Sequence, residues 1–228
     1  MAERSPPGRL WPPRRLARLG ALRRRKPISD RFGFDRGRPV DRYYIEAFLA
    51  RHGGPSGDIR GHVLEVLDDT YTRTFGAGVE KVDVLSYDPT PEATIVDDLA
   101  TGANLPSNTF DCVICTQTLY YIYDIRAAVA TLARILKPGR TLLATMPGIS
   151  RICPPDWSDY WRLTSASARR LFEDGFPGGK VHVEAHGNVL SAAAFLYGLA
   201  VEDLRPAELD YRDPAFEVTV AVRAVKAS

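Results

Sequence analysis

The chain has 228 residues, of which 45% are hydrophobic and 25% are charged, a composition typical of a globular protein with a sizeable core. This composition excludes a disordered or fibrous chain, and no apolar stretch reaches the length of a membrane-spanning helix. The net charge of +2 is unevenly distributed, because residues 1–26 carry +8 and the remaining residues carry −6. The acidic body argues against nucleic acid as a substrate or partner.

The N-terminal segment, residues 1–30, is predicted to be a basic, disordered tail that precedes one domain over residues 31–228. Residues 1–26 of this tail contain four prolines and lack the apolar core of a signal peptide, so export is not indicated. The odd number of cysteines, three, favours a reducing compartment, and we expect a cytoplasmic protein. Alternatively, Leu16, Leu19 and Leu22 among the arginines form a short basic helix that contacts a membrane surface or a protein partner.

Beyond the tail, the pattern predicts one helix and then alternating strands and helices. The first helix begins near Asp41, keeps an apolar stripe at Ile45, Phe48 and Leu49, and stops at Gly53. Asp124 is the predicted N-cap of a later helix that ends at residues 137–139. The predicted strands are 62–66, 82–87, 93–96, 110–115, 141–146, 181–185 and 216–222, and two more helices cover 165–172 and 189–199.

Short strands joined by helices predict an α/β fold, a doubly wound and mostly parallel sheet with helices on both faces. The last strand alternates in polarity and is predicted to be an antiparallel edge strand. Ligands of such sheets bind beyond the carboxyl ends of the strands, where the strand order reverses. The loops in question begin near Leu67, Asp88, Asp98, Thr116 and Pro147.

Cys112 and Cys115 form a C-x-x-C pair inside an apolar run that is typical of a strand. A spacing of three residues on a strand places the two thiols on opposite faces, and no second Cys/His pair stands nearby. We therefore interpret them as core residues and predict no metal site.

Three segments together resemble class I S-adenosylmethionine-dependent methyltransferases of the type 11-like group. They are LPSNTFDCVIC at 105–115, TLYYIYD at 118–124 and ARILKPG at 133–139. Residues 31–49 and 68–76 also resemble segments of methyltransferase-like bacterial proteins. The resemblance implies a seven-stranded Rossmann-like sheet with an antiparallel last strand. It also implies S-adenosylmethionine as cofactor and methyl transfer to a small molecule in biosynthesis, a sugar or a secondary metabolite.

By matching positions, the resemblance assigns several residues to the cofactor. Glu65 would end the first strand, Asp88 would hold the ribose hydroxyls, and Asp98 with Leu99 would lie beside the adenine. The spacing has chemical sense, because a carboxylate at the tip of the neighbouring strand accepts two hydrogen bonds from a vicinal diol. Gln117, directly after the fourth strand, is a further cofactor candidate.

The first cofactor loop departs from the family pattern of three glycines, because Leu67, Asp69 and Tyr71 occupy the glycine positions. Bulky side chains there crowd the methionine moiety, whereas the carboxylates of Asp68 and Asp69 would attract its cationic groups. The sequence therefore leaves two hypotheses open. One is a methyltransferase with a remodelled cofactor site, and the alternative is a methyltransferase fold without methyl transfer, either another enzyme or a partner protein.

Tyr120, Tyr121 and His186 are the candidate catalytic residues. The two tyrosines follow the fourth strand, where an acceptor would sit, and the alternative for them is aromatic packing. His186 follows the sixth strand, and its alternative role is structural.

Trp161 and Arg162 are candidates for binding the acceptor by stacking and by bidentate hydrogen bonds. For Arg162 the alternative is an ion pair with Asp159. Tyr43 and Tyr44, on the first helix, would close over the site by analogy with the family.

Overall fold

The computed structural model of the chain describes residues 23–153 and 158–228. The predicted tail residues 1–22, including the alternative basic helix, lie outside the described residues. No helix in the described ranges is both long and apolar enough to cross a membrane. The strands are β1 (Gly61–Val66), β2 (Val79–Ser86), β3 (Ile95–Val96), β4 (Phe110–Thr116), β5 (Leu136–Pro147), β6 (Lys180–His186) and β7 (Thr219–Val225). The helices are α1 (Val40–His52), α2 (Thr70–Phe75), α3 (Ile125–Ile135), α4 (Ser165–Gly175), α5 (Val189–Leu196) and α6 (Pro206–Asp210).

The seven strands form one sheet in the order β3-β2-β1-β4-β5-β7-β6. Strands β1 to β5 pair in parallel, whereas β7 runs antiparallel to both β5 and β6. The strand order reverses between β1 and β4, so the crevice beyond their carboxyl ends is the expected ligand site. The predicted α/β fold class and the antiparallel last strand are confirmed.

Two apolar layers cover the two faces of the sheet. Helices α3 and α4 bury Leu132 and Phe172 on one face, and α1 buries Phe48 on the other. Cys115 belongs to the first layer and Cys112 to the second, which confirms that the two thiols lie on opposite faces of β4. Both faces of the central strands are therefore covered, as the continuous apolar runs of parallel strands require.

The helices begin where the sequence supplies caps. The Asp124 side chain accepts a hydrogen bond from the Ala127 amide at 3.1 Å, so the predicted N-cap of α3 is confirmed. Thr164 and Ser167 form a reciprocal capping box at the start of α4.

The structure corrects several boundaries. The prediction that the last strand is an edge was wrong, because β7 lies between β5 and β6 and hydrogen-bonds to both. Most residues of β7 are buried on both faces of the strand, as expected for a strand inside the sheet rather than at its edge. Residues 137–139, predicted to end α3, belong instead to β5, and the short helices α2 and α6 were not predicted.

Residues 29–38 form an N-terminal strap that bonds to residues 197–203 and lines the cavity described below with Phe32 and Phe34. Arg36 makes two hydrogen bonds to Asp203, Nε to Oδ2 at 2.9 Å and Nη2 to Oδ1 at 2.6 Å. The strap turns at Gly33, whose φ of +93° is left-handed and where a Cβ would lie 2.8 Å from the carbonyl oxygen of Leu199. The domain boundary at residues 30 and 31 stays a prediction, although the Ile28 amide already bonds to the Tyr197 carbonyl oxygen at 2.8 Å.

Candidate active site

A cavity of about 430 Å³ opens at the carboxyl ends of β1 and β4, where the strand order reverses. The strap, α1 and α5 close its sides. Its lining residues are Phe32, Phe34, Asp41, Arg42, Leu67, Gln117, Tyr120, Tyr121, Pro147, Ser150, Cys153, Phe195 and Val218. Of the sequence-predicted site residues, Leu67, Gln117, Tyr120 and Tyr121 are brought together here.

Leu67, directly after β1, has a left-handed backbone with φ of +82°. This conformation favours glycine, and an L-residue with a Cβ adopts it at a cost of about 1–2 kcal/mol. The amide of Leu67 bonds to the Leu85 carbonyl oxygen at 2.8 Å, and its side chain is 54% exposed. The loop therefore keeps the backbone turn that glycine provides in the resembled family, although the glycine itself is absent.

Replacing Leu67 by glycine should relieve this strain, whereas Leu67→Ala should keep it. At an ordinary position alanine is more stable than glycine by about 0.5–1 kcal/mol. Here we expect the reverse order, with the glycine variant more stable than the alanine variant by about 1 kcal/mol. Urea unfolding of the two variants measures the difference, and an alanine variant of equal or higher stability would show that the backbone is not strained.

Asp69 and Tyr71 occupy the other two positions where the resembled family has glycine, and their side chains make contacts within the fold. Asp69 pairs with Arg73 at 2.7 Å, one turn into α2. The Tyr71 hydroxyl accepts a hydrogen bond from Arg42 at 2.9 Å, and its ring stacks on Phe75 with the centroids 6.2 Å apart. Neither residue lines the cavity, so the loss of these glycines does not fill it.

Asp68 and Glu65 also accept hydrogen bonds within this loop and do not line the cavity. The Asp68 carboxylate accepts a hydrogen bond from the Thr70 amide at 2.8 Å. Glu65, at the end of β1 and 2% exposed, accepts hydrogen bonds from the amides of Tyr71 and Thr72 and from the Thr72 hydroxyl. Burial raises the pKa of Glu65 to about 7, against the lowering effect of these three donors.

Gln117, the first residue after β4, is the second strained residue at the switch point. Its φ is +47°, and its amide bonds to the Thr145 carbonyl oxygen at 2.9 Å. Its side-chain Nε2 is buried and finds no hydrogen-bond partner among residues 23–153 and 158–228. A buried amide donor without an acceptor is costly, and its place on a cavity wall indicates a ligand acceptor.

The predicted ribose and adenine residues lie on the neighbouring strands. Asp88 follows the carboxyl end of β2, is exposed, and has no hydrogen bond or ion pair in the described part of the chain. Asp98 accepts a hydrogen bond from the Ala100 amide at 2.8 Å, and Leu99 is buried in the core beneath it. They do not line the cavity, but they follow β2 and β3, which end at the same edge of the sheet as β1 and β4.

Tyr120 and Tyr121 form a hydroxyl cluster with Cys153 on the cavity wall. The Tyr120 hydroxyl donates to the Tyr121 hydroxyl at 2.5 Å, and the Tyr121 oxygen lies 3.0 Å from the Cys153 Sγ. Burial raises the pKa of both tyrosines well above the usual value. Both phenols are therefore neutral near pH 7 and act as hydrogen-bonding groups rather than as bases.

Three other candidates, Tyr43, Tyr44 and His186, face away from the cavity. Tyr43 donates to Asp210 at 2.6 Å, and Tyr44 donates to the Leu209 carbonyl oxygen at 3.1 Å, so both bond to α6. His186 is 4% exposed and stacks on Tyr44 with the ring centroids 5.6 Å apart. Their contacts assign them to the packing of α1 against α6 and β6.

Trp161 and Arg162 are likewise held by protein partners. Trp161 donates from Nε1 to the Ile122 carbonyl oxygen at 3.0 Å. Arg162 donates from Nη1 and Nη2 to the carboxylate of Asp159, as in the alternative interpretation, and its Cζ lies 5.4 Å from the centroid of the Tyr120 ring. Arg162 supports the wall of the first cavity and lines a second one of about 510 Å³.

Sequence reasoning missed Asp41 and Arg42, which line the cavity from the first turn of α1. A signal was present, since Asp41 lies on the same helical stripe as Ile45 and Phe48, both fully buried. A carboxylate that continues an apolar stripe is unusual enough to indicate a site. Phe32 and Phe34 of the strap were missed because nothing local in the sequence shows that the strap reaches the cavity.

Comparison with known proteins supports the resemblance read from the sequence. Residues 62–144, from β1 into β5, match the family model described as "Methyltransferase domain". No protein in a search of curated proteins matches the chain.

Many solved structures share the fold. One is a complex from Haloferax volcanii between a methyltransferase activator and a methyltransferase, at 20% identity and a TM-score of 0.55, covering 82% of this chain and 92% of that one. A second is an S-adenosylmethionine-dependent methyltransferase from Mesorhizobium loti, at 15% identity and a TM-score of 0.52, covering 85% of this chain and 100% of that one. A third is the cyclase SpnF, at 13% identity and a TM-score of 0.53, covering 81% of each chain. At these identities the similarity establishes the fold alone.

Proposed function

We propose that the chain is a member of the class I methyltransferase superfamily, that it binds S-adenosylmethionine and that it methylates a small molecule. The observation that carries the proposal is at the switch point of the sheet. There Leu67 keeps a left-handed backbone, and the neighbouring Gln117 holds a buried amide group without a partner. Both features are costly for folding alone, which supports a ligand-binding role.

The residues present fit the cofactor. The left-handed turn at Leu67 lets the backbone approach a ligand, and Gln117 Nε2 offers a donor to a carboxylate or carbonyl oxygen. Asp88 offers two free carboxylate oxygens, which suits a vicinal diol. Asp98 and Leu99 follow β3, where an adenine would lie.

In this proposal Leu67 and Gln117 hold the methionine end, Asp88 the ribose and Leu99 the adenine. The bound cofactor would supply an activated methyl group on a sulfonium sulfur. The chain's own residues then bind the acceptor, orient it and exclude water. The neutral hydroxyls of Tyr120 and Tyr121 serve as hydrogen-bonding groups for the acceptor.

The cavity supports a small acceptor rather than a macromolecule. Its volume is about 430 Å³, and the strap closes one side of it through the Arg36–Asp203 pair. The acidic body of the chain would repel nucleic acid. Cytoplasmic localisation, and a contact of the basic tail with a protein or membrane, are proposed on composition alone.

Calorimetric titration with S-adenosylmethionine and S-adenosylhomocysteine tests the proposal, because it needs no knowledge of the acceptor. We expect a Kd in the micromolar range for both ligands, about −8 kcal/mol, and no heat with NAD as a control. Absence of heat with all three ligands would contradict the proposal. It would favour the alternative, a methyltransferase fold without methyl transfer, a possibility to which the shared fold of a cyclase also draws attention.

A further inference from the structure

Among the described residues that line the candidate active site, Asp41 is the one with a carboxylate. It follows Val40 at the start of α1, on the stripe that continues with Tyr44 and Ile45. One carboxylate oxygen, Oδ1, accepts a hydrogen bond from the Arg42 amide at 2.9 Å. In the ranges that the structure describes, no hydrogen bond is found at the other oxygen, so it is available to a ligand in the cavity.

The electrostatic surroundings of Asp41 favour proton uptake. Burial raises the pKa of its carboxyl, while the guanidinium of Arg42 lowers it and Glu46 raises it slightly. In the described ranges, the other titratable side chains that line this cavity are Cys153 and the neutral Tyr120 and Tyr121. A desolvated carboxylate is a stronger proton acceptor than an exposed one.

The walls around Asp41 are aromatic. Phe32 and Phe34 enter from the strap, and Phe195 from α5, with the Phe32 and Phe195 ring centroids 6.2 Å apart. Tyr120 and Tyr121 line the cavity from the loop after β4. Rings of this kind stack on a planar aromatic ligand or pack edge-on against it.

Two other acceptor classes fit less well. A sugar would bring several hydroxyl groups, each needing a partner, into a cavity lined mainly by apolar groups. A cationic amine would meet Arg42, whose Nη1 donates to Tyr71 and whose charge lies on the same wall as Asp41. A planar molecule with an ionisable hydroxyl matches both the aromatic rings and the Asp41 carboxylate.

We propose that the acceptor is an aromatic hydroxyl compound and that Asp41 accepts the hydrogen bond, and then the proton, of its hydroxyl group. This proposal rests on the proposed function. The O–H bond breaks and its proton passes to the Asp41 carboxylate, while an electron pair of the hydroxyl oxygen forms the bond to the transferred methyl group. Bound S-adenosylmethionine would supply that methyl group and would keep the electron pair of the broken carbon–sulfur bond on its sulfur.

The experiment uses phenol, catechol and 4-nitrophenol as probes of the full-length protein, with and without S-adenosylhomocysteine. The absorbance of 4-nitrophenol reports its ionisation directly and needs no catalytic turnover. Because the ionised Asp41 disfavours a neighbouring phenolate, bound 4-nitrophenol should have a pKa raised by about 1 unit over the free compound. Asp41→Asn should lose this shift, and Glu46→Gln should keep it, since Glu46 lies on the same helix but pairs with Arg38 outside the cavity.

The possible outcomes are distinct. If S-adenosylhomocysteine binds but none of the three phenols does, the aromatic hydroxyl proposal fails while the proposed function stands. If S-adenosylhomocysteine does not bind either, the proposed function fails as well. An unchanged pKa shift in Asp41→Asn would overturn the role of Asp41, and tighter binding of benzylamine than of phenol would overturn the hydroxyl class.

Discussion

Replacing Asp88 by alanine is expected to weaken S-adenosylhomocysteine binding by about 100-fold. The exposed carboxylate at the end of β2 is free of protein partners in the described ranges, so its removal breaks no internal contact. Two charge-assisted hydrogen bonds to a ribose diol, weakened by solvent exposure, would together contribute about 3 kcal/mol. Each 1.4 kcal/mol corresponds to a tenfold change in Kd, and calorimetry measures it directly.

The matched control is Glu92→Ala, another exposed carboxylate in the loop between β2 and β3. It tests whether any loss comes from the general negative charge of this edge, and we expect less than a twofold change in Kd. Both variants should unfold at the same denaturant concentration as the native protein. An Asp88→Ala protein with native affinity would remove Asp88 from the site.

The sequence predicts the order of the elements well, because strand and helix periodicities are local properties of the chain. It does not predict where the last strand inserts. Alternation in residues 216–222 is typical of an edge, yet Val220 and Val222 are fully buried between β5 and β6. The polarity of a strand reflects the layers above and below it, and those layers are assembled from distant segments.

The candidate site is predicted only in part, because some of its residues are placed by local patterns and others by packing between distant segments. Leu67 and Gln117 follow strands that the pattern identifies, so their meeting at the switch point was predictable. That Leu67 would keep a glycine-like backbone was not, since propensity alone disfavours it. Asp41 and the strap reach the cavity through long-range packing, as the Arg36–Asp203 pair illustrates.

His186 and Tyr44 are two predicted site residues that do not line the cavity. His186 ends β6, and β7 lies between β6 and β5. His186 is therefore two strands away from the carboxyl end of β5. Tyr44 follows Asp41 by three positions on α1, but it points to α6 and bonds to Leu209. The end of the sixth strand suggested His186 and the family resemblance suggested Tyr44. In the structure β7 lies between β5 and β6 and separates His186 from the cavity.

Glu65→Gln is expected to flatten the pH dependence of folding stability between about pH 4.5 and 7. The folded pKa of about 7 exceeds the unfolded value of 4.5, so the folded protein binds more protons in this window. The contribution of Glu65 is therefore fully present below about pH 4.5 and is lost as the pH rises through 7. Its size is about 3 kcal/mol at most, since each pKa unit corresponds to 1.36 kcal/mol.

The glutamine variant also separates charge from hydrogen bonding. The side-chain carbonyl oxygen of the glutamine still accepts from Thr72. Its side-chain NH2 group, however, faces the Tyr71 amide and leaves that donor unpaired, at a cost of about 1–3 kcal/mol. We therefore expect a less stable protein at low pH whose difference from the native protein shrinks as the pH rises. Urea unfolding at several pH values measures it, with exposed Glu80→Gln as the control.

A constant difference between pH 4.5 and 7 would contradict the raised pKa of Glu65. Asp58 and Glu184 do not obscure the result, because hydrogen bonds and cations lower the pKa of both, and that of Glu184 falls to about 2. Their stabilising effect is present above their unfolded pKa values and is lost only at more acidic pH. Glu65 holds the loop that carries Leu67, so we also expect cofactor affinity to depend on pH through the ionisation of Glu65. The same titration repeated with S-adenosylhomocysteine would measure that dependence.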